Sequence, residues 1–373
     1  MITLIGGVPP MAKHHPANER IKRRYLIYLQ EANQLAESSI DQVAAAIAAF
    51  EKSAGYKDFK HFHIEKARRF KRQLLEHINA DTGKGLAIST IHSRLMAVKS
   101  FFKWLAGQPG YKSRISYSDA DYFNSSANDE RIAKAVRERP VPTLDQIMHV
   151  LRSMPVATVY ERRDRALVAF TLLSGARDNA IASLKLRHVD LKTRTVNQDA
   201  REVRTKTRKT FISNFFPVGD EVEQIVADWI AELESNQLFG PDDPLFPSTA
   251  IGLNDDGHFA PTGLSRKNWS NAGPIRKIFR PAFENAGLPY FNPHSFRKTL
   301  VSLGQSRCRT PEALKAWSQN LGHEDVLTTL RSYGAVSRDR QAEILASLRH
   351  AENANLPGLD PQARQVLERL LRA

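Results

Sequence analysis

Five short stretches carry side chains able to act on a charged substrate: Gly175-Ala176-Arg177, Arg204-Thr205-Lys206-Thr207, His294-Ser295-Phe296-Arg297, Leu321-Gly322-His323 and Tyr333. A guanidinium offers paired donors to anionic oxygens and stays charged at any working pH. An imidazole titrates near 6.5 and suits a general base or proton shuttle. His294 and Arg297 are three residues apart, so at a helix start both lie on one face. A phenol, with a pKa of about 10, becomes an effective nucleophile only among positive neighbours. Each stretch alone is weak: an arginine at a helix start is usually a surface residue, a hairpin lysine is usually solvated, and one tyrosine of nine is usually packing. Their common order along the chain is what gives them meaning.

These side chains need elements to hold them. The pattern is mostly helical, with one β region. Behind Ser39-Ile40-Asp41-Gln42, read as a capping box, the residues Ile40, Val43, Ile47 and Phe50 form an apolar stripe. A helix over 64–77 turns Phe70 and Leu74 inward and clusters Lys66, Arg68, Arg69, Lys71 and Arg72 around them. In STIHSRLMAVKSFFKWL, Ile91, Leu95, Val98, Phe102 and Leu105 share one face, while His92, Arg94, Lys99 and Lys103 share the other. Thr143 starts a further helix, with Asp145 and Gln146 in its first turn. Ser174-Gly175 stops the one before Arg177. Residues 179–187 read as helical, TRTVNQDAREVRTKTRKTFISNFFPV as two or three short antiparallel strands, and 238–272 as a long loop or insertion. Helices then fit 220–235, 274–286, 295–306, 311–319, 324–331, 337–348 and 361–371.

The spacing therefore predicts a mainly α fold with a small antiparallel β-sheet. Its parts are a flexible tail over 1–19, a helical domain over 20–120, a linker over 121–142, a second domain over 143–350, and a terminal helix over 351–373. The 373 residues make two domains the natural expectation. Net charge is +14, of which +9 falls in residues 1–139 and +5 in the rest, which points to a polyanion, nucleic acid first. The single cysteine, Cys308, excludes an intramolecular disulfide framework and a zinc-finger cluster. No run reaches the roughly 20 apolar residues of a membrane span, and the first fifteen residues lack a signal-peptide core. The expected location is cytoplasmic, with the nucleoid, and no membrane partner is expected.

Taken together, SGARDNAIASLKLRHVDL, RTKT, NPHSFRKTLVSLG and NLGHEDVLTTLRSYG resemble, in order and spacing, the arginine boxes, hairpin lysine and nucleophile box of the tyrosine recombinase (phage integrase) family. STIHSRLMAVKSFFKWL is similar to the last long helix of that family's core-binding domain, so the resemblance covers roughly 20–348. It implies a two-domain DNA clamp. Its activity would be that of a site-specific recombinase, cutting and rejoining DNA through a 3′-phosphotyrosine, with no ATP, metal or other cofactor. Arg177 and Arg297 would then hold the phosphate, and Lys206 would protonate the leaving 5′ oxygen, with Lys209 a substitute. His294 would act as base or shuttle, His323 would hydrogen-bond the phosphate, and Tyr333 would attack it. Lys66, Arg69, Arg72, Arg94, Lys99 and Lys103 would contact DNA phosphates. The partners implied are double-stranded DNA and a homotetramer on paired sites, with room for accessory DNA-bending or directionality factors. Competing readings are an idle DNA-binding protein on the same scaffold, a type IB topoisomerase-like enzyme, and a basic protein that binds no DNA.

Two departures from the family pattern stand out. Three residues after the first arginine the family usually has an acid, where this chain has Ala180; the nearest acid is Asp178, about 100° away on a helix. An acid from elsewhere, Asp178, or backbone carbonyls would have to hold Arg177. Tyr333 also stands ten residues after His323, one later than in much of the family, where Ser332 stands here; a Thr-Leu-x-x-Tyr run, here Thr329 to Tyr333, accompanies the longer spacing. No separate arm-binding domain is expected before residue 20. At the other end Val366, Leu367, Leu370 and Leu371 form a stripe after Asp360 and Pro361, suited to docking on its own domain or on a neighbouring subunit.

Overall fold

The computed structural model describes residues 14–79, 83–135, 140–253 and 256–323, together with Ala342. Tyr333 and the terminal helix expected over 351–373 lie outside the described residues. The chain divides into two compact units, Met1–Val136 and Arg137–Ala373.

The first unit is helical: α1 (Pro16–Glu31), α2 (Glu37–Ser53), α3 (Ile64–Glu76), α4 (Ile88–Ala106) and α5 (Ala127–Lys134), with short 3-10 turns at Phe59–His61 and Tyr117–Phe123. Its core is aromatic. Phe50, Phe59, Phe62, Phe70, Phe101, Phe102 and Phe123 are all buried, with Phe62 and Phe102 centred 4.2 Å apart and Phe50 meeting Phe102 edge-on at 5.0 Å. Three expectations change here. The 1–19 tail gives way to helix at Pro16, because the fully buried Asn18 amide donates to Glu51 and accepts from the Phe59 N–H. Ser39 is not a cap, since α2 already begins at Glu37 after Ala36. The 121–142 linker is shortened: Ser126 caps α5 by accepting from Asp129 N–H, and α5 packs on α4.

The second unit begins with α6 (Leu144–Ser153), capped by a Thr143–Gln146 box, and α7 (Val159–Ser174). Then come α8 (Asp178–Ile181), β1 (Val189–Asp190), β2 (Thr195–Gln198) and β3 (Phe211–Asn214), followed by α9 (Asp220–Ser235), β4 (Thr249–Leu253), β5 (Phe259–Leu264), α10 (Gly273–Asn285), α11 (Pro293–Arg307) and α12 (Pro311–Asn320). β1, β2 and β3 form one antiparallel sheet, in which Val196 faces Ser213 and Gln198 faces Phe211. Helix α7 is buried along most of its length and packs against α9 and α11. Only one short turn of α-helix and a 3-10 turn at Leu186–His188 occupy 179–187. The stretch 238–272, expected as loop, folds β4 and β5 into an antiparallel hairpin. The Pro142 carbonyl accepts from the buried Thr299 hydroxyl at 2.6 Å, which ties the entry of the unit to α11.

Candidate active site

Arg177 occupies the N-cap position of α8, where its backbone is extended. It is placed there by Gly175, which ends α7 in the left-handed region at φ 59°. A Cβ on Gly175 would lie 2.9 Å from Phe216, 3.0 Å from Leu300 and 3.2 Å from Leu321, so only glycine fits this turn without displacing core side chains. The Gly175 carbonyl accepts from Nη1 of Arg297, which rises from α11 and is buried. The other arm of that guanidinium, Nη2, donates to the Leu321 carbonyl at 2.6 Å and to Nε2 of His323 at 3.2 Å. Arg297 thus joins the turn before Arg177 to the turn before His323. Gly322, at φ 70°, makes that second turn, and a Cβ there would meet the Phe211 ring at 2.8 Å.

Arg177, His294, Arg297 and His323 form one electrostatic group. Burial and then the like charge of Arg177 pull the Arg297 guanidinium down to about 9, still protonated at neutral pH. Burial alone lowers Arg177. Desolvation followed by the two arginine charges lowers His294, and Asp178 opposes that only in part. The same causes, with His294 and Lys209 added, push His323 down to about 4. Both imidazoles are therefore neutral at neutral pH. Because Arg297 donates to Nε2 of His323, that ring carries its proton on Nδ1. Two cations beside two neutral rings make a site that favours an anion.

The His323 shift has a consequence for stability. Its folded pKa lies below the unfolded value near 6.5, so the unfolded chain binds more protons between those values, and stability falls as pH drops from 6.5 towards 4. His323→Asn should flatten that part of a Tm-against-pH curve. An unchanged slope would remove His323 as its source.

The expected substitute for the missing acid is absent among the described residues. Asp178 pairs instead with Arg276 of α10, at 2.9 Å from both Nε and Nη2, and no described side chain hydrogen-bonds the Arg177 guanidinium. Ala180 is buried in the apolar core of the unit, where a carboxylate would be desolvated.

The lysine segment lies between β2 and β3. Lys206 is exposed, while Lys209 is half-buried and its charge is felt at His323. Thr207 and Arg208 between them have φ 59° and 53°. Left-handed backbone at a residue other than glycine costs of order 1 kcal/mol or more, so the flanks must hold this turn. On one flank Arg204 is bound to the α8 region. On the other, the Asn320 side chain clasps the Asn214 backbone, accepting from N–H at 2.6 Å and donating to C=O at 2.9 Å. Both fall inside stretches quoted from the sequence, but neither was assigned a role there, since an asparagine at a helix end and an arginine in a hairpin have no periodic signature.

In the first unit, Arg69 and Arg72 are exposed on α3 and Arg94 is half-exposed on α4. None of the three has a hydrogen bond or ion pair among the described residues. Lys66 donates to the His61 carbonyl, and Asp121 draws Lys99 to 2.9 Å and Lys103 to 3.5 Å. Three of the six expected phosphate-contacting side chains therefore have protein partners.

The sequence model of the phage integrase family matches residues 137–340, the span that holds Arg177, Lys206, Lys209, His294, Arg297 and His323. The chain belongs to the phage integrase family. Members of this family are the tyrosine-type site-specific recombinases. Curated relatives include tyrosine recombinase XerC of Lactobacillus delbrueckii subsp. bulgaricus, 22% identical over 83% of this chain and 92% of its own. XerC of Escherichia coli is 25% identical over 82% of this chain and 88% of its own. The fold is shared with the crystal structure of a lambda integrase dimer bound to a COC′ core site, with a TM-score of 0.59, 12% identity, and coverage of 87% of this chain and 79% of that one. It is also shared with the Tn1549 transposon integrase in complex with transposon right end DNA, with a TM-score of 0.55, 18% identity, and coverage of 88% and 99%. This phage integrase family member is thus mainly α, with small antiparallel sheets in its second unit. No helix among its described residues is long and apolar enough to cross a membrane.

Proposed function

We propose that the chain cuts and rejoins duplex DNA at matched sites by transient attachment to Tyr333. The observation that carries this reading is the pairing of Arg177 and Arg297 around two neutral histidines, with the nearest acid, Asp178, drawn to Arg276. In the proposed step, the Tyr333 phenolic oxygen attacks phosphorus and gives up its proton, with His294 as the acceptor or shuttle. Arg177, Arg297 and His323 bind the non-bridging oxygens as charge builds on them. The bond from phosphorus to the 5′ oxygen breaks, and Lys206 or Lys209 supplies the proton that this oxygen takes up. The products are a 3′-phosphotyrosine and a free 5′ hydroxyl. Attack by a 5′ hydroxyl from another strand reverses the sequence, so phosphoester bonds are conserved and ATP is not required.

The two units would close on DNA, with exposed basic groups such as Arg69, Arg72 and Arg94 supplying salt-dependent contacts. Four copies on two sites, linked through the carboxy-terminal segment, would complete the assembly. The test is incubation with the genomic DNA flanking its own coding sequence, followed by sequencing of the covalently trapped strand. The expected outcome is one defined junction, with exchange only between matched sites. Relaxation of any supercoiled plasmid without such a site would make the enzyme a topoisomerase instead. Binding without any adduct would make it an idle scaffold.

A further inference from the structure

We propose that Arg204 is a positioning residue for the general-acid lysine, holding the strained turn of 206–209 against the element that carries Arg177. This rests on the active-site reading above.

Arg204 lies two residues before Lys206 and binds at four points. Its backbone N–H donates to the Ser183 hydroxyl at 2.9 Å. Its Nε donates to Oδ1 of Asn179 at 3.2 Å, and Nη2 donates to the carbonyls of Ala182 at 3.2 Å and Trp269 at 2.6 Å. Asn179 is two residues after Arg177, on the short helix α8 that Arg177 caps. The guanidinium therefore fastens the start of the lysine turn to the Arg177 element. A planar fork with donors on separate nitrogens suits this task, whereas a lysine in its place would present all its donors from one nitrogen and lose that spread.

The other end of the turn is fastened separately. The Thr210 hydroxyl accepts from the Ala200 N–H at 3.0 Å across the hairpin. Beyond it, Asn320 clasps Asn214 three residues before His323. Between these anchors, Thr207 and Arg208 both sit in the left-handed region without being glycine. Such backbone persists only where its surroundings over-determine it. Freed at the Arg204 end, the turn relaxes towards ordinary backbone and the lysine ammonium moves off the leaving oxygen. Arg297 keeps its own anchors, and through the Gly175 carbonyl it still braces the turn that places Arg177, so the defect falls on proton delivery.

A substrate with sulfur in place of the bridging 5′ oxygen isolates that defect. When the phosphorus–sulfur bond breaks, the thiolate leaves without needing a proton, so a missing general acid costs little. Covalent adduct formation is measured on ordinary and 5′-phosphorothiolate duplexes for the full-length chain and for Arg204→Ala, Arg204→Lys, Lys206→Ala and Lys209→Ala. Arg204→Ala should cleave the ordinary duplex roughly 10²–10⁴-fold more slowly, the usual span for general-acid catalysis, and the sulfur duplex within about tenfold of the parent. Equal loss on both substrates, or loss on neither, would overturn the positioning role. One of the two lysine variants should show the same sulfur rescue. If neither does, the general-acid reading itself fails, whatever Arg204→Ala does. Should Arg204→Ala fail to fold, Arg204→Lys keeps the charge but not the planar fork. It should show a smaller loss, again rescued by sulfur, and full activity on both duplexes would sink the proposal.

Discussion

Tyr333→Phe is expected to bind a single DNA site as the parent does and to form no covalent adduct. The substitution removes one oxygen and keeps the ring and the net charge, while the atom proposed to attack phosphorus is lost. The Arg177–Arg297 site supplies the reason that a phenol brought to it could serve. Its pKa of about 10 leaves little phenolate at neutral pH, and two guanidiniums with no acid paired to Arg177 among the described residues favour the anion. Ser332→Ala is the matching control, because Ser332 stands where much of the family has its tyrosine. Adducts that persist in Tyr333→Phe and vanish in Ser332→Ala would move the nucleophile by one residue.

Arg297→Ala and Arg177→Ala are expected to lose cleavage alike and stability unlike. Removing one preorganised donor to a developing oxyanion commonly costs roughly 10²–10³ in rate. Arg297 does more than that, because it also donates to the Gly175 and Leu321 carbonyls from a buried position. Each buried acceptor left without its donor costs about 1–3 kcal/mol. Arg297→Ala should therefore unfold at markedly lower denaturant, while Arg177→Ala, which abandons no bond among the described residues, should unfold near the parent. Urea titration of both variants checks this. Equal midpoints would mean that Arg297 is not the internal brace described.

Much of the site was legible because its chemistry depends on residue type and spacing. Arg177, His294, Arg297 and His323 were named from three short boxes, and the second unit brings them into one electrostatic group. The β1–β2–β3 sheet was legible from alternation, and the helix start at Thr143 from Asp145 and Gln146 in its first turn. What escaped notice depended on partners distant in sequence. Asn18 looked like a tail residue until Glu51 and Phe59, more than thirty positions on, gave its amide a buried place. Helix α5 has no apolar stripe to announce it and forms on a cap and on α4. Asp178 looked like the natural neighbour for Arg177, yet Arg276, ninety-eight residues away, takes it. Lys206 matched the family pattern, whereas the structure couples the Lys209 charge to His323, a fact no local pattern contains.

The bracing role of Arg297 bears on how such an enzyme decays over generations. A recombinase gene that loses its selective advantage leaves copies free to drift. In those copies, changes at Arg297 would be removed early, because they unfold the chain and waste its synthesis even when recombination no longer matters. Changes at Arg177 would pass, since they silence the chemistry and spare the fold. Degenerate relatives should therefore keep the second arginine long after the first has gone, and a surviving Arg297 on its own is poor testimony that a copy still cuts DNA.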